Sequence, residues 1–162
     1  GEYLINENLN FNKKILQKIT GHVSQHVNLI DDTIINNICF GVSKNKIDFQ
    51  KVNQLIQELN LEELINNLPQ KLESNIGEQG LKLSGGQRQK ISLARTLYLD
   101  PKIIIFDEST SSLDMKSEND FMEILHKIKI NKIILFITHN KLLEKKFDSL
   151  YKLEDKKIIR LF

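Results

Sequence analysis

Cysteine occurs once in the 162 residues and proline twice. The lone thiol, Cys39, excludes a disulfide within the chain and suits a reducing compartment. It lies in the apolar stretch IINNICF, where a small buried hydrophobe is expected. No apolar run approaches the roughly 20 residues that a membrane-spanning helix needs. The opening residues, GEYLIN, have neither a basic stretch nor a long apolar core and do not read as a signal peptide. Charge of one sign is not in excess, since 23 Lys and Arg stand against 21 Asp and Glu for a net +2. That balance argues against a basic field of the kind that binds nucleic acid. Neither an internal repeat nor a low-complexity linker interrupts the chain. Its length suits one domain that hides about 70% of its unfolded surface.

What is present centres on Leu83 to Asp114, LSGGQRQKISLARTLYLDPKIIIFDESTSSLD. Ser84 is a good N-cap, and Gly85 and Gly86 leave backbone N–H groups bare at a helix start, where a partial positive charge can meet a phosphate. Ile91, Ala94, Leu97 and Tyr98 recur at helical spacing. Asp100-Pro101 stops that helix, because the residue before proline is pushed out of the α region. Ile103 to Phe106 form a continuous apolar run, the mark of a strand covered on both faces. Asp107 and Glu108 stand at its carboxyl end, where open α/β sheets bind ligands.

Elsewhere, Tyr3 to Ile5 and Ile15 to Ser24 read as short strands, split by the polar segment ENLNFNKK. Asp32 or Thr33 can cap a short helix over Ile34, Ile35 and Ile38. Val52, Leu55, Ile56 and Leu59 predict an amphipathic helix, and Leu61, Leu64, Ile65 and Leu68 a shorter one closed by Pro69. After Asp114, Phe121, Leu125 and Ile128 share a helical face. Lys132 to Ile137 is a second continuous apolar strand, ending at Thr138-His139, and a short helix is expected over Leu142, Leu143 and Phe147. Ser149 to Leu153 and Ile158 to Leu161 read as two closing strands. The turn between them lacks the Asn-Gly or Asp-Gly of a tight hairpin. The lysines of 141 to 157 read as a solvated face. His22, His26 and His126 have no motif context and read as structural or solvated.

LSGGQ, then IIIFDE, then SSLD, in this order and at this spacing, resemble the ATP-binding-cassette (ABC) ATPases. The resemblance implies an α/β fold: the P-loop NTPase-type sheet sandwich of that family with a helical subdomain carrying the signature. It divides the chain into residues 1–30 with core strands and the Q-loop, 31–98 as the helical subdomain, and 99–162 as the catalytic core. It implies ATP and Mg2+ as ligands. Asp107 then fits the metal role, since a carboxylate suits a hard cation. Glu108, one residue on, can orient or deprotonate the attacking water. Gln25 resembles the Q-loop glutamine that touches metal and water, although GHVSQ has His22 and Ser24 where the family usually has Tyr and Pro. His139 resembles the H-loop histidine that contacts the γ-phosphate, followed here by Asn140 where many exporters have Arg. Ser84, Gly85, Gly86 and Gln87, with Asp114 of a D-loop spanning Ser111 to Asp114, are implied to bind nucleotide across a dimer interface.

Glu78 in NIGEQG resembles the X-loop of exporters, and LIDDTIINNICFG also looks like the exporter pattern. The resemblance therefore implies an exporter motor on the cytoplasmic face of a membrane, most simply a bacterial inner membrane. Its implied partners are a second nucleotide-binding domain, head to tail, and a transmembrane domain on the same or another chain. No GxxxxGK followed by Ser or Thr occurs in the sequence. The resemblance is accordingly expected to cover the later two-thirds of a nucleotide-binding domain, with its N-terminal third missing. In the family the P-loop strand lies beside the strand ending at the H-loop histidine, so Lys132 to Ile137 is expected to leave one edge unpaired here. Two other readings stand beside the motor. A DNA-acting ABC ATPase is opposed by the lack of any heptad run between Gln25 and Leu83. A non-catalytic dimerising or regulatory module is favoured by the missing P-loop and opposed by the intact Asp107-Glu108 and His139.

Overall fold

The computed structural model describes residues 13–162, so the strand expected at Tyr3 to Ile5 lies outside the described residues. The chain runs α1 (Lys13–Ile19), β1 (Thr20–Val23), α2 (Ile34–Ile38), α3 (Phe49–Glu58), α4 (Glu62–Asn67), α5 (Gly85–Tyr98), β2 (Ile103–Asp107), α6 (Met115–Ile128) and β3 (Ile133–Ile137), then β4 (Tyr151–Glu154) and β5 (Lys157–Arg160). Short 3-10 turns punctuate it, including Lys141–Lys146 where the helix over Leu142 to Phe147 was expected.

β1, β2 and β3 form one parallel sheet in that order, and β4 and β5 form a separate antiparallel hairpin. The register sets Gly21, Ile104 and Ile134 in one row and Val23, Phe106 and Phe136 in another. These rows face the helices. Phe106 meets Phe121 of α6 edge-on at 5.9 Å between ring centroids and stacks on Phe136 at 5.6 Å. Phe136 in turn meets Phe147 at 5.2 Å. Rings packed this way bury the largest apolar area a side chain offers, and fully burying each contributes about 1.5–3 kcal/mol.

Thr33 caps α2 through its hydroxyl, Asp48 caps α3, and Asp114 caps α6, each accepting a backbone N–H in the first turn. Val52, Leu55, Ile56 and Leu59 are buried, as the 3.6-residue periodicity requires. Cys39 is buried as well. An isolated bridge between Thr33 and Asn75 draws the segment before α5 against the start of α2. Gly80, at φ +71°, closes the same segment, because an added Cβ there would lie 2.9 Å from Leu29 Cδ1 and 3.2 Å from Arg88 Cδ.

Three expectations need correction. Ile15 to Ser24 is not one strand, since residues up to Ile19 are helical and only Thr20–Val23 pair with β2. The run has no Gly or Pro between Ile15 and Thr20 to show where helix gives way to strand. Asp100 does end α5, but at φ +50°, as the left-handed residue after the helix rather than as an extended one before Pro101. The two apolar strands are not covered on both faces among the described residues. Ile133, Leu135 and Ile137 are 59%, 51% and 51% exposed, and Ile103 and Ile105 beside them are half-buried. The two closing strands are present as expected, and β4 and β5 meet in a two-residue turn. Asp155 and Lys156 both take positive φ, +48° and +62°, the signs that a tight hairpin of type I′ demands. A lysine in that conformation is uncommon, which is why composition did not reveal the turn.

Candidate nucleotide site

The carboxyl ends of β2 and β3 carry the expected catalytic residues. β2 ends at Asp107, opposite Ile137 at the end of β3. Glu108 follows with φ +46°, a left-handed conformation that costs a glutamate about 1–3 kcal/mol and persists only where the surroundings hold it. Its N–H donates to the carbonyl of Ile137 at 2.9 Å, which holds the chain as it leaves the sheet. The Glu108 carboxylate Oε1 lies 3.1 Å from His139 Nε2. The glutamate side chain is 31% exposed and the imidazole 91%, so a partly sheltered carboxylate is joined to a ring open to solvent.

Gln25 reaches this group through the loop after Glu108. Its Nε2 donates to Ser111 Oγ at 3.3 Å, and the Ser111 N–H donates to the Glu108 carbonyl at 3.1 Å. Gln25, Ser111, Glu108 and His139 are thus one connected set drawn from β1, β2 and β3. Asp107 is exposed, and among the described residues its carboxylate has no hydrogen bond or ion pair.

Asn140, which the sequence marks only as a departure from the family, has a local task. Its Nδ2 donates to both Glu118 oxygens at 3.2 and 3.3 Å, and its N–H donates to Thr138 Oγ1 at 2.9 Å. The turn bearing His139 is thereby tied to α6. Nothing in the sequence signalled that pairing, which spans β3. Ser109 is also new: its buried hydroxyl has no hydrogen-bond partner among the described residues.

Ser84 caps α5 in a reciprocal box, accepting the Gln87 N–H at 3.2 Å while Gln87 Oε1 accepts the Ser84 N–H at 2.8 Å. The Gln87 side chain is therefore occupied with the cap. The first intrahelical bond is Arg88 N–H to the Ser84 carbonyl, 3.0 Å, so the Gly85 and Gly86 N–H groups lie ahead of it and point outward along the axis. A Cβ on Gly86 would stand 3.2 Å from Ser117 Oγ, and one on Gly85 would stand 3.8 Å from Leu113 and from the Ser112 carbonyl. The helix start is therefore pressed against the loop and first turn of α6. Asp114 lies in that same loop and accepts from the Ser117 N–H at 2.8 Å and the Ser117 hydroxyl at 3.2 Å. These hydrogen bonds, the backbone one foremost, hold its carboxyl below the usual range.

Among the described residues no group of three His, Cys, Asp or Glu side chains could cage a metal ion. Mg2+ does not need one, because it is commonly held by one or two carboxylates together with waters and substrate phosphates. The unpartnered carboxylate of Asp107 fits that use. The bare amides of Gly85 and Gly86 fit an anion such as a phosphate.

The sequence profile of the ABC transporter family matches residues 1–111. An ATP-dependent lipid A-core flippase of Cupriavidus pinatubonensis is 42% identical over 118 residues, 72% of this chain and 20% of that protein. A putative export ATP-binding/permease protein of Rickettsia typhi is 39% identical over 124 residues, 76% of this chain and 21% of that one. The chain thus spans about a fifth of the length of these relatives. Among solved structures, a bacterial Atm1-family ABC exporter with ATP bound superposes with a TM-score of 0.75 at 31% identity, over 86% of this chain and 24% of that one. The α/β architecture described above, with its helices between β1 and β2, is that of the exporter's nucleotide-binding domain. With its motifs, its fold and its matched residues in agreement, the chain belongs to the ABC transporter family.

Proposed function

We propose that the chain is the later two-thirds of the ATP-hydrolysing motor domain of an ABC exporter, coupling hydrolysis to movement of a substrate across a membrane. The observation that carries this reading is the Glu108–His139 contact of 3.1 Å beside an unpartnered Asp107. Phosphoryl transfer needs a held metal, an oriented water and neutralised charge, and little covalent chemistry from the protein. In this reading Asp107 would hold Mg2+, which would neutralise charge on the phosphates, and Gln25 would contribute to the same ion and to the water. Glu108 draws the proton from the attacking water, and its partial shelter strengthens that interaction over one in bulk solvent. His139, open to solvent on its far side, meets the γ-phosphate.

Ser84, Gly85, Gly86 and Gln87, with Asp114 in the adjoining loop, form the second half of a nucleotide site. Their place is opposite the ATP of another nucleotide-binding domain packed head to tail. Ser84 and Gly85–Gly86 present the hydroxyl and amides, whereas Gln87 and Asp114 act by holding that surface in shape through their caps. A phosphate cradle of the GxxxxGK type is not among these 162 residues. The division into residues 1–30, 31–98 and 99–162 follows from the same reading, with β1 of the first part pairing with β2 of the last. A transmembrane domain, on the same or another chain, and the cytoplasmic face of a bacterial inner membrane complete it. The flippase and export ATP-binding/permease names of the relatives support a membrane setting. No helix among the described residues is long and apolar enough to cross a membrane.

In the full-length protein, Glu108→Gln should slow steady-state hydrolysis by about 10²–10⁴-fold, the usual contribution of a general base. MgATP binding should survive, because the amide keeps the shape and removes a negative charge near the phosphates. Hydrolysis within about threefold of wild type would remove Glu108 from the reaction, as would loss of ATP binding.

A further inference from the structure

Arg95 lies about three-quarters of the way along α5 and is half-buried. All three guanidinium nitrogens are committed. Nε donates to the Asn37 carbonyl at 2.7 Å, one terminal nitrogen to Asn37 Oδ1 at 2.7 Å, and the other to the Asn28 carbonyl at 2.8 Å. The Phe40 ring covers the guanidinium, 5.2 Å from centroid to Cζ. Asn37 has no exposed surface and is saturated in turn. Its Oδ1 also accepts the Ile30 N–H at 3.0 Å, and its Nδ2 donates to the carbonyls of Ile30 at 3.1 Å and Thr33 at 3.0 Å. One residue beyond Arg95, Thr96 presses on Gly21 of β1 so closely that no Cβ fits there. The stretch from Gly21 to Asn37, which carries Gln25, therefore grips α5 at Arg95 and Thr96. The bare amides of Gly85 and Gly86 stand about 15 Å away at the other end of the same rigid helix.

A buried guanidinium is a poor device for stability alone. Its desolvation offsets most of what its hydrogen bonds return, and an apolar residue of similar volume serves as well or better. What a fork of five donors supplies is fixed orientation, which a lysine in its place cannot reproduce. We propose that Arg95 is a positioning residue: by gripping Asn37 and Asn28 it locks the attitude of α5 to the segment carrying Gln25, and so aims the Gly85 and Gly86 amides. The aim matters only if those amides meet a phosphate, so this step rests on the motor reading above. A displacement of about 1 Å at such a site lowers turnover by about 10²-fold, whereas Asp107 and His139, which face the chain's own nucleotide in this reading, do not lie on α5.

The test uses the full-length protein with Arg95→Lys, Asn37→Ala, both together, and Phe40→Leu, the last removing only the exposed ring over the guanidinium. Amide exchange is followed at residues 28–39 and 84–88, alongside kcat and KM for ATP. Arg95→Lys should speed exchange in both segments, lower kcat at least about tenfold and leave KM within about twofold. The double variant should lose less than the product of the two single effects, because the bond from Arg95 to Asn37 Oδ1 is common to both. Phe40→Leu should move the same quantities in the same direction by a smaller factor, and it decides the matter if Arg95→Lys fails to fold. Unchanged exchange at 84–88, or kcat per folded molecule equal to wild type, overturns the positioning role. If the wild type hydrolyses no ATP, the motor reading is what fails, and exchange at 84–88 still decides whether Arg95 aims the helix start.

Discussion

Asp100 occupies the left-handed position after α5, and its carboxylate Oδ1 accepts from Lys132 Nζ at 2.8 Å across the foot of β2 and β3. That hydrogen bond, with the lysine's charge, holds the carboxyl below its ordinary value. A carboxyl depressed on folding contributes stability above its unfolded pKa of about 3.9 and loses it as pH falls through the lower folded value. Asp100→Asn keeps a residue that tolerates positive φ and removes only the charge. Urea melts of the two forms should therefore differ by a constant amount above about pH 5 and converge below about pH 4. A difference that grows on acidification would mean that Lys132 does not favour the ionised form. At the same scale, Glu108 was legible in the sequence by type and place, but its φ of +46° and its hydrogen bond back to Ile137 were not. Both depend on β3, some thirty residues further along the chain. Arg95 escaped notice for the same reason, since its partners, Asn28 and Asn37, belong to the stretch after β1.

Elements with a long period were legible, as were the short helices α2 and α4 with their cap and proline signals, but the junction of α1 and β1 was not. α3, α5 and α6 each carry an apolar face several turns long and a side chain that caps the N-terminus, so periodicity and punctuation agree. α1 and β1 follow one another within Lys13–Val23 without a break, too short for either period to register. The cap of α5 has a measurable contribution. Ser84→Ala removes the oxygen that accepts the Gln87 N–H and should cost about 1 kcal/mol of stability. Equilibrium unfolding within about 0.3 kcal/mol of wild type would show that the box does not hold the helix start. Gly86→Asp is more severe, because its side chain would be built onto Ser117 at the start of α6. It should lose about 1–3 kcal/mol through overpacking, offset in part by the favourable place of a negative charge at the start of α5. Gly86→Asp as stable as wild type would show that α5 and α6 do not meet there.

For the whole molecule, among the described residues, the sheet has one covered face and one open. The row Ile103, Ile105, Ile133, Leu135 and Ile137 is half-buried to exposed, and among the described residues β3 has no strand on its outer edge. The continuous apolar runs led to an expectation of cover on both faces, because such a run records what a strand is built to bury and not which segment buries it. An open edge of this kind invites pairing with other chains. Residues 1–162 expressed alone should show weak amide protection at Ile133–Ile137 and a tendency to aggregate, and the full-length protein strong protection at the same residues. Strong protection in both would show that β3 needs nothing beyond these residues. The hydrolytic role is tested most directly by turnover in the full-length protein of wild type, Glu108→Gln, His139→Ala and the double variant. If the 3.1 Å contact makes Glu108 and His139 one working unit, the double variant falls within about threefold of Glu108→Gln alone. Losses that multiply, or single variants that turn over like wild type, would contradict a catalytic centre at the ends of β2 and β3.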